Sequence, residues 1–371
     1  MLRTNKNLNG HPWVRLEDLN LEGLALEDGQ AATLYDGEGH SLGTGVFDRR
    51  DTQAAWRRFT WADDVAFDLD YLVEAMEASV GRRAEEGCQR LMSSDADYLP
   101  GLIVELYGDV ILVSVENAAV ERHLDAILEV LKEGYAPREI VVRSDSPLRA
   151  AFGLETEIRT LSGNNLKGYW IEIDDLAYRI DLLHPEKPRF ALDQREQHAL
   201  VGSLCAGRKV LDGFANMGAF ALQAMRNEAE SAVAVDINDM AVKTIGAIAQ
   251  KNELPIQAVR ADVADYLGQC EPGAFDAIIL DPPAALAADF TALGELHRNA
   301  FAMLPPGGVI ATYCRSASVA AQDFDLLVAG AAAAVGREGR IFARISQPFD
   351  FPVLLNLPES RYLKGLILQV E

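Results

Sequence analysis

Asp212, Asp236, Asp262 and Asp281 each stand at the end of a short run that reads as a strand in the C-terminal half of this chain. If those strands are parallel, the four carboxylates line the carboxyl rim of one sheet, where ligands bind beside the point at which strand order reverses. Asp212 opens the loop Asp212-Gly213-Phe214-Ala215-Asn216-Met217-Gly218, whose glycines allow a tight turn and close ligand approach. Asp236 lies 24 residues later, placed to accept both hydroxyls of a nucleoside ribose. Asp262 is placed to meet an adenine amine, with a helix N-cap as its plain alternative role. Asp281-Pro282-Pro283 is the sharpest feature, because two prolines after a buried strand fix the backbone and expose a carbonyl and a carboxylate. Such a shelf suits holding a planar base beside a reactive methyl group, since orientation supplies much of a transfer rate. The chemistry indicated is methyl transfer from S-adenosylmethionine (SAM). Asp212, Gly213, Phe214, Asn216 and Gly218 would line its methionine end, and Asp281 and Pro282 would position the acceptor. A nicotinamide dehydrogenase could share the glycine loop and Asp236, but not the Asp-Pro-Pro shelf.

The elements that must carry these residues alternate from about residue 180 onward. Strands are expected at 209–211, 231–235, 276–280 and 309–313, with helices at 219–226, 239–252 and 324–335 and one running to Met303. Two last strands, 341–345 and 362–370, would close the sheet. The pattern predicts an α/β, doubly wound, Rossmann-like domain over 179–371 with a final antiparallel strand. Upstream, 1–65 reads as a β-rich domain and 66–178 as an α+β middle domain. Tyr107-Gly108-Asp109 and Asp174-Asp175 mark hairpin turns.

Apolar residues make up 49% and charged residues 24% of the 371, as in a soluble globular protein with a core. No run reaches the roughly 18 apolar residues that a membrane span needs, and the N-terminus lacks the apolar stretch of a secretory signal. Cys88, Cys205, Cys270 and Cys314 are far apart and form no CxxC pair, which argues against a metal site or disulfides and for a reducing cytoplasm. The net charge of -22 counts against nucleic-acid binding. Arg49, Arg50, Arg57 and Arg58 around Trp56 are the local exception, a patch that could contact RNA by ion pairing and stacking.

Together these segments resemble the RlmI-type methyltransferases of large-subunit ribosomal RNA, which install 5-methylcytosine. His11-Pro12-Trp13-Val14 resembles the opening of their PUA domain, and Asp97-Tyr98-Leu99-Pro100-Gly101-Leu102 their "DGLPG" stretch. Phe190-Ala191-Leu192-Asp193-Gln194-Arg195 is similar to "YYLDQR" beside the cofactor, which places Gln194 and Arg195 at its flank. The loop after residue 210 resembles "VLNCFSYTGGF", Asp281-Pro282-Pro283 resembles "DPPKF", and Tyr362-Leu363-Lys364-Gly365 resembles "YLKG". The resemblance implies a PUA-like domain, SAM as cofactor and RNA, ribosomal by that resemblance, as substrate, with no membrane partner and a homodimer left open.

The departures fall on the acceptor side. The family's nucleophilic cysteine lies in "TFSCS"; here the segment is Thr312-Tyr313-Cys314-Arg315-Ser316, so Arg315 takes the cysteine's place and Cys314 sits one residue early. A one-residue shift on a strand turns a side chain to the other face unless a bulge corrects it. Cys314 therefore stands as a candidate nucleophile against the alternative of a buried small residue. Ala284 replaces the lysine after Asp-Pro-Pro, and His297 replaces an asparagine, as a substrate contact or, more simply, a surface helix residue. Methylation of a different atom or of a non-RNA acceptor without a cysteine, and a catalytically silent RNA-binding protein, are the competing readings.

Overall fold

The computed structural model describes residues 1–83 and 87–371. The chain packs as two compact units, Met1–Lys167 with Phe349–Ser360, and Gly168–Pro348 with Arg361–Glu371.

The first unit holds a six-stranded and a five-stranded sheet. Tyr107-Gly108-Asp109 makes the expected hairpin, with Tyr107 opposite Val110 and Gly108 at φ 66°. Helices Leu69–Val80 and Leu124–Tyr135 cover the five-stranded sheet through Leu72, Met76, Ile127, Leu128 and Leu131. Val46 and Phe59 of the six-stranded sheet join that same core, so no gap in packing separates the two sheets at residue 65.

The arginine patch that could contact RNA is mostly turned inward. Trp56 is fully buried and donates its indole N–H to the Ala32 carbonyl at 2.8 Å. Arg57 pairs with Asp51 and Asp95 and lies over the Trp13 ring. Arg58 is buried against Trp61 and donates to the Leu42 and Gly10 carbonyls. Arg50 pairs with Asp28 and Asp48. The sequence cluster is thus largely an internal ion-pair network, because neighbouring carboxylates and carbonyls claim its donors first.

The second unit opens with the hairpin Tyr169–Ile173 and Leu176–Ile180, whose turn residues Asp174 and Asp175 both take φ near 50°. Asn252 binds its edge, accepting from the Ala177 N–H and donating to the Ala177 carbonyl, each at 2.8 Å. Helix Arg195–Ser203 precedes the sheet. The strands and helices that follow are β1 (Lys209–Gly213), α1 (Ala219–Arg226), β2 (Ser231–Asp236), α2 (Asp239–Lys251), β3 (Ile256–Arg260) and α3 (Val263–Gln269). Then come β4 (Ala277–Leu280), the single turn Ala284–Ala287, α4 (Phe290–Met303), β5 (Val309–Arg315), α5 (Ala321–Ala334), β6 (Gly339–Ile345) and β7 (Leu363–Val370).

The sheet order is β3-β2-β1-β4-β5-β7-β6, with β7 antiparallel to both neighbours. Each face is buried. Leu211, Ile278, Leu280 and Ile310 meet α3, α4 and α5 on one side, and Val210, Ile279, Ala311 and Ile367 meet α1, α2 and helix Arg195–Ser203 on the other. The single helix expected after Asp-Pro-Pro is split. Asp289 accepts from the N–H groups of Thr291 and Ala292 and so starts α4 afresh. Among the described residues, no helix is long and apolar enough to cross a membrane.

Candidate active site

Strand order reverses between β1 and β4, so their carboxyl ends frame the crevice. Asp212, the penultimate residue of β1, is fully buried; its Oδ2 accepts from the Ala221 N–H at 3.0 Å, tying the strand to the first turn of α1. Its Oδ1 is buried without a partner. Desolvation pushes this carboxyl well above the usual range, opposed by the Ala221 bond and reinforced by Asp281 and Asp236. Phe214, Asn216 and Gly218 have φ of 62°, 51° and 73°, so the loop winds left-handed at three positions, two of them not glycine. Gly213 is required by packing: a Cβ there would lie 2.9 Å from Val263 Cγ1.

Asp236 holds the loop from the next strand. Its Oδ2 accepts from Asn216 N–H at 2.9 Å and its Oδ1 from Asn238 N–H at 2.8 Å. A carboxylate oxygen has two lone-pair sites, so each keeps capacity for a ribose hydroxyl. Asn216 also donates to the Arg189 carbonyl at 2.8 Å. Asp262 caps α3, with Oδ1 accepting from Ala264 and Asp265 N–H at 2.9 and 3.1 Å. The capping role weighed for it is therefore present, while Oδ2 has no partner among the described residues.

Beyond β4 and β5 lies a cluster that sequence reasoning had not assembled. Arg315 donates from Nη1 to Asp193 Oδ2 at 2.7 Å, from Nη2 to Gln194 Oε1, and from Nε to Asp281 Oδ1 at 3.3 Å. Tyr362 donates to the same Asp193 oxygen at 2.8 Å. Burial works against the guanidinium, but Asp281 and Asp193 outweigh it and hold it charged. Desolvation also raises the Asp281 carboxyl, and Arg315 opposes that rise. Gln194 thus joins the site through Arg315, while Arg195 opens the adjoining helix. The available signal was an arginine at a strand end facing two acids, Asp193 and Asp281, from distant segments, a convergence that spacing does not display.

Cys314 and His297 lie elsewhere than at the rim. No bulge corrects the register of β5, so Tyr313 faces α1 and Cys314 faces the opposite core with Ile310, Phe324 and Leu366. Cys314 is fully buried and burial raises its thiol above the ordinary value, partly offset by Lys364. His297, expected at a helix surface, is fully buried; its ring nitrogens bond Thr312 Oγ1 at 2.8 Å and the Leu293 carbonyl at 2.7 Å. Desolvation lowers it to about 4, which leaves it a neutral link between α4 and β5.

The residues fit SAM. Besides Asp212 Oδ1, the Tyr313 hydroxyl is buried without a partner, and its ring stacks on Phe220 with centroids 5.3 Å apart. Both carboxylates facing that phenol, Asp281 and Asp212, belong to the rim. A buried acceptor and a buried donor left open in one crevice match the ammonium and carboxylate of a methionine moiety.

The doubly wound sheet with its antiparallel β7, and a rim that fits an adenosyl sulfonium, define a Rossmann-like SAM-dependent methyltransferase. The model of the methyltransferase small domain matches residues 196–324, and that of the PUA-like domain residues 3–61. The Ribosomal RNA large subunit methyltransferase I of Aeromonas salmonicida is 30% identical over 387 residues, covering 99% of this chain and 97% of that one. The Shewanella amazonensis protein of the same name is 31% identical, with 97% and 95% covered. The chain belongs to this ribosomal RNA large subunit methyltransferase I family. In fold it is similar to a Streptococcus mutans chain described as a SAM-dependent methyltransferase, with TM-score 0.83, 22% identity and both chains covered in full. Trm5b from Pyrococcus abyssi is similar over 72% of this chain and 74% of its own, with TM-score 0.56 and 16% identity.

Proposed function

We propose that this methyltransferase modifies a base in RNA, with ribosomal RNA as the substrate, in the cytoplasm. The observation that carries this reading is the Asp281-Pro282-Pro283 shelf beside the partnerless Asp212 Oδ1, within a chain whose relatives are named for ribosomal RNA. Bound SAM supplies an electrophilic methyl group on a sulfonium. Asp212, Gly213, Phe214, Asn216 and Gly218 hold its methionine end, Asp236 its ribose and Asp262 Oδ2 its adenine, with Gln194 and Arg195 alongside. Asp281 and Pro282 orient the acceptor, and the closely packed helices on both sheet faces exclude water beneath it. The three-part division at 65/66 and 178/179 is retained as a division of labour, with 1–65 as the RNA-recognition module.

The burial of Cys314 favours the reading in which transfer proceeds without a covalent cysteine. The test is incubation of the full chain with tritiated SAM and separate RNA, protein and small-molecule pools from a strain lacking the gene. Label in RNA is expected. Label confined to another pool, or none despite SAM binding, would overturn the proposal.

A further inference from the structure

Left-handed backbone is costly for any residue with a Cβ, and a bulky side chain adopts it rarely. Among the described residues two aromatic side chains hold it, Phe214 and Tyr98. Phe214 belongs to the cofactor loop described above. Tyr98 lies in the first unit at φ 62° and ψ 26°, closing the short turn Ser94–Asp97. The similar "DGLPG" stretch has glycine at this position, and glycine would hold the same backbone without strain. Tyr98 stays 44% exposed, so burial of the ring does not repay the cost. Unrepaid strain of this kind gathers where a side chain meets a ligand.

A second exposed ring stands beside it. The Tyr71 hydroxyl donates to the Phe59 and Tyr98 carbonyls at 2.9 and 2.8 Å, which seats the Tyr98 turn against strand Trp56–Thr60. Trp61 follows that strand directly and is 58% exposed. Arg58 links the two rings. Its guanidinium carbon lies 3.4 Å from the Trp61 ring centroid, and it feels the Tyr98 phenol. Arg58 is buried, its N–H groups go to the Leu42 and Gly10 carbonyls, and it pairs with no carboxylate among the described residues. Burial accordingly lowers its pKa to about 10. The guanidinium covers and polarises one face of the indole, and the remainder of the ring is open to solvent.

An unpaired base has the complementary surface, a flat π-face that stacks on aromatic rings. Charge agrees with this choice. The chain carries -22, and Asp63 and Asp64 lie just beyond Trp61, so phosphates are repelled here and bases are not. A protein hot spot needs an apolar surround that excludes water, which two rings next to these carboxylates lack. We propose that Tyr98 and Trp61, with Arg58 behind the indole, form a stacking platform in the first unit for unpaired bases of the RNA substrate. This rests on the RNA reading above. Recognition through π-faces tolerates any base sequence and requires a single strand.

The test is fluorescence anisotropy of labelled single-stranded oligoadenylate with the full chain, at several salt concentrations. Trp61→Ala and Tyr98→Gly should each weaken binding about 5–150-fold, the loss of one stacked base. The slope of log affinity against log salt should not change, because no phosphate contact is removed. Tyr98→Gly should also melt no lower than the wild type, since glycine relieves the left-handed strain; a tyrosine kept for packing would give a lower melting temperature. Trp61→Phe should recover most of the affinity, which separates stacking from misfolding. SAM affinity should be unchanged in all three. A folded Trp61→Ala or Tyr98→Gly chain that binds oligoadenylate as tightly as the wild type overturns the platform. So does a salt slope reduced by about one, or a wild type that prefers duplex RNA. Variants that bind RNA normally but sediment differently would assign the rings to protein contact and end the proposal. Methyl label in RNA without oligoadenylate binding by the wild type would overturn the platform alone. Absence of both would remove the reading on which it rests.

Discussion

A carboxylate held in the core with one oxygen unpaired, as in Asp212, is a cost that binding can relieve. Its folded pKa is raised, so its favourable contribution is full below the unfolded value and fades as pH rises through the folded one. Asp212→Asn removes that titration. Without ligand, the variant should melt at higher temperature than the wild type at neutral pH, with the difference vanishing in acid. SAM affinity should fall about 10–100-fold, the loss of one charge-assisted hydrogen bond. Thermal melts across pH with calorimetry of SAM binding check both; a variant that binds normally would remove Asp212 from the cofactor site. His297→Ala should do the opposite. It opens a cavity and strands the Thr312 hydroxyl, costing about 2–4 kcal/mol in urea unfolding while SAM binding stays within about three-fold.

Among the elements, β5 decides most. Its alternation sends Tyr313 and Arg315 towards the rim side and Cys314 into the α4–α5 core, so Cys314→Ala should retain methyl transfer within about two-fold and lose on the order of 1 kcal/mol of stability. The neighbouring β7 contributes Gly365, where an added Cβ would lie 2.7 Å from Tyr313 Cδ1 and 3.0 Å from the Thr312 carbonyl oxygen. Gly365→Ala must push the tyrosine ring off Phe220 or part the strands. We expect about 1–3 kcal/mol of destabilisation by overpacking, together with weaker SAM binding, read by denaturant unfolding and calorimetry. Unchanged SAM affinity in that variant would show that the Tyr313 hydroxyl does not serve the cofactor.

For the molecule as a whole, the net charge is -22, and the first unit spends several of its arginines internally. Arg57→Ala should therefore act on folding. It strands Asp51 and Asp95 and should cost about 3–5 kcal/mol, while the salt dependence of RNA binding by the folded variant keeps its slope. Denaturant unfolding and filter binding at several salt concentrations separate the two. A slope reduced by about one would show Arg57 on a phosphate instead.

Much of the second unit was legible in the residues because periodicity and punctuation are local signals. Apolar runs ending in Asp212, Asp236 and Asp281 locate the strands of a parallel sheet, and Asp281-Pro282-Pro283 locates the shelf, since chain stereochemistry needs only near neighbours. Three things were decided by tertiary structure. Arg315 gathers Asp193, Gln194 and Asp281 from segments more than thirty residues away, a meeting that only the sheet order creates. His297 is drawn inside because Thr312, on a strand fifteen residues later, offers it a partner. The arginines around Trp56 turn inward because Asp51 and Asp95 reach them first. Sequence alone determines which backbone can form and which residues carry charge. Where a charge ends up depends on partners distant in the chain, because electrostatics and burial act through space.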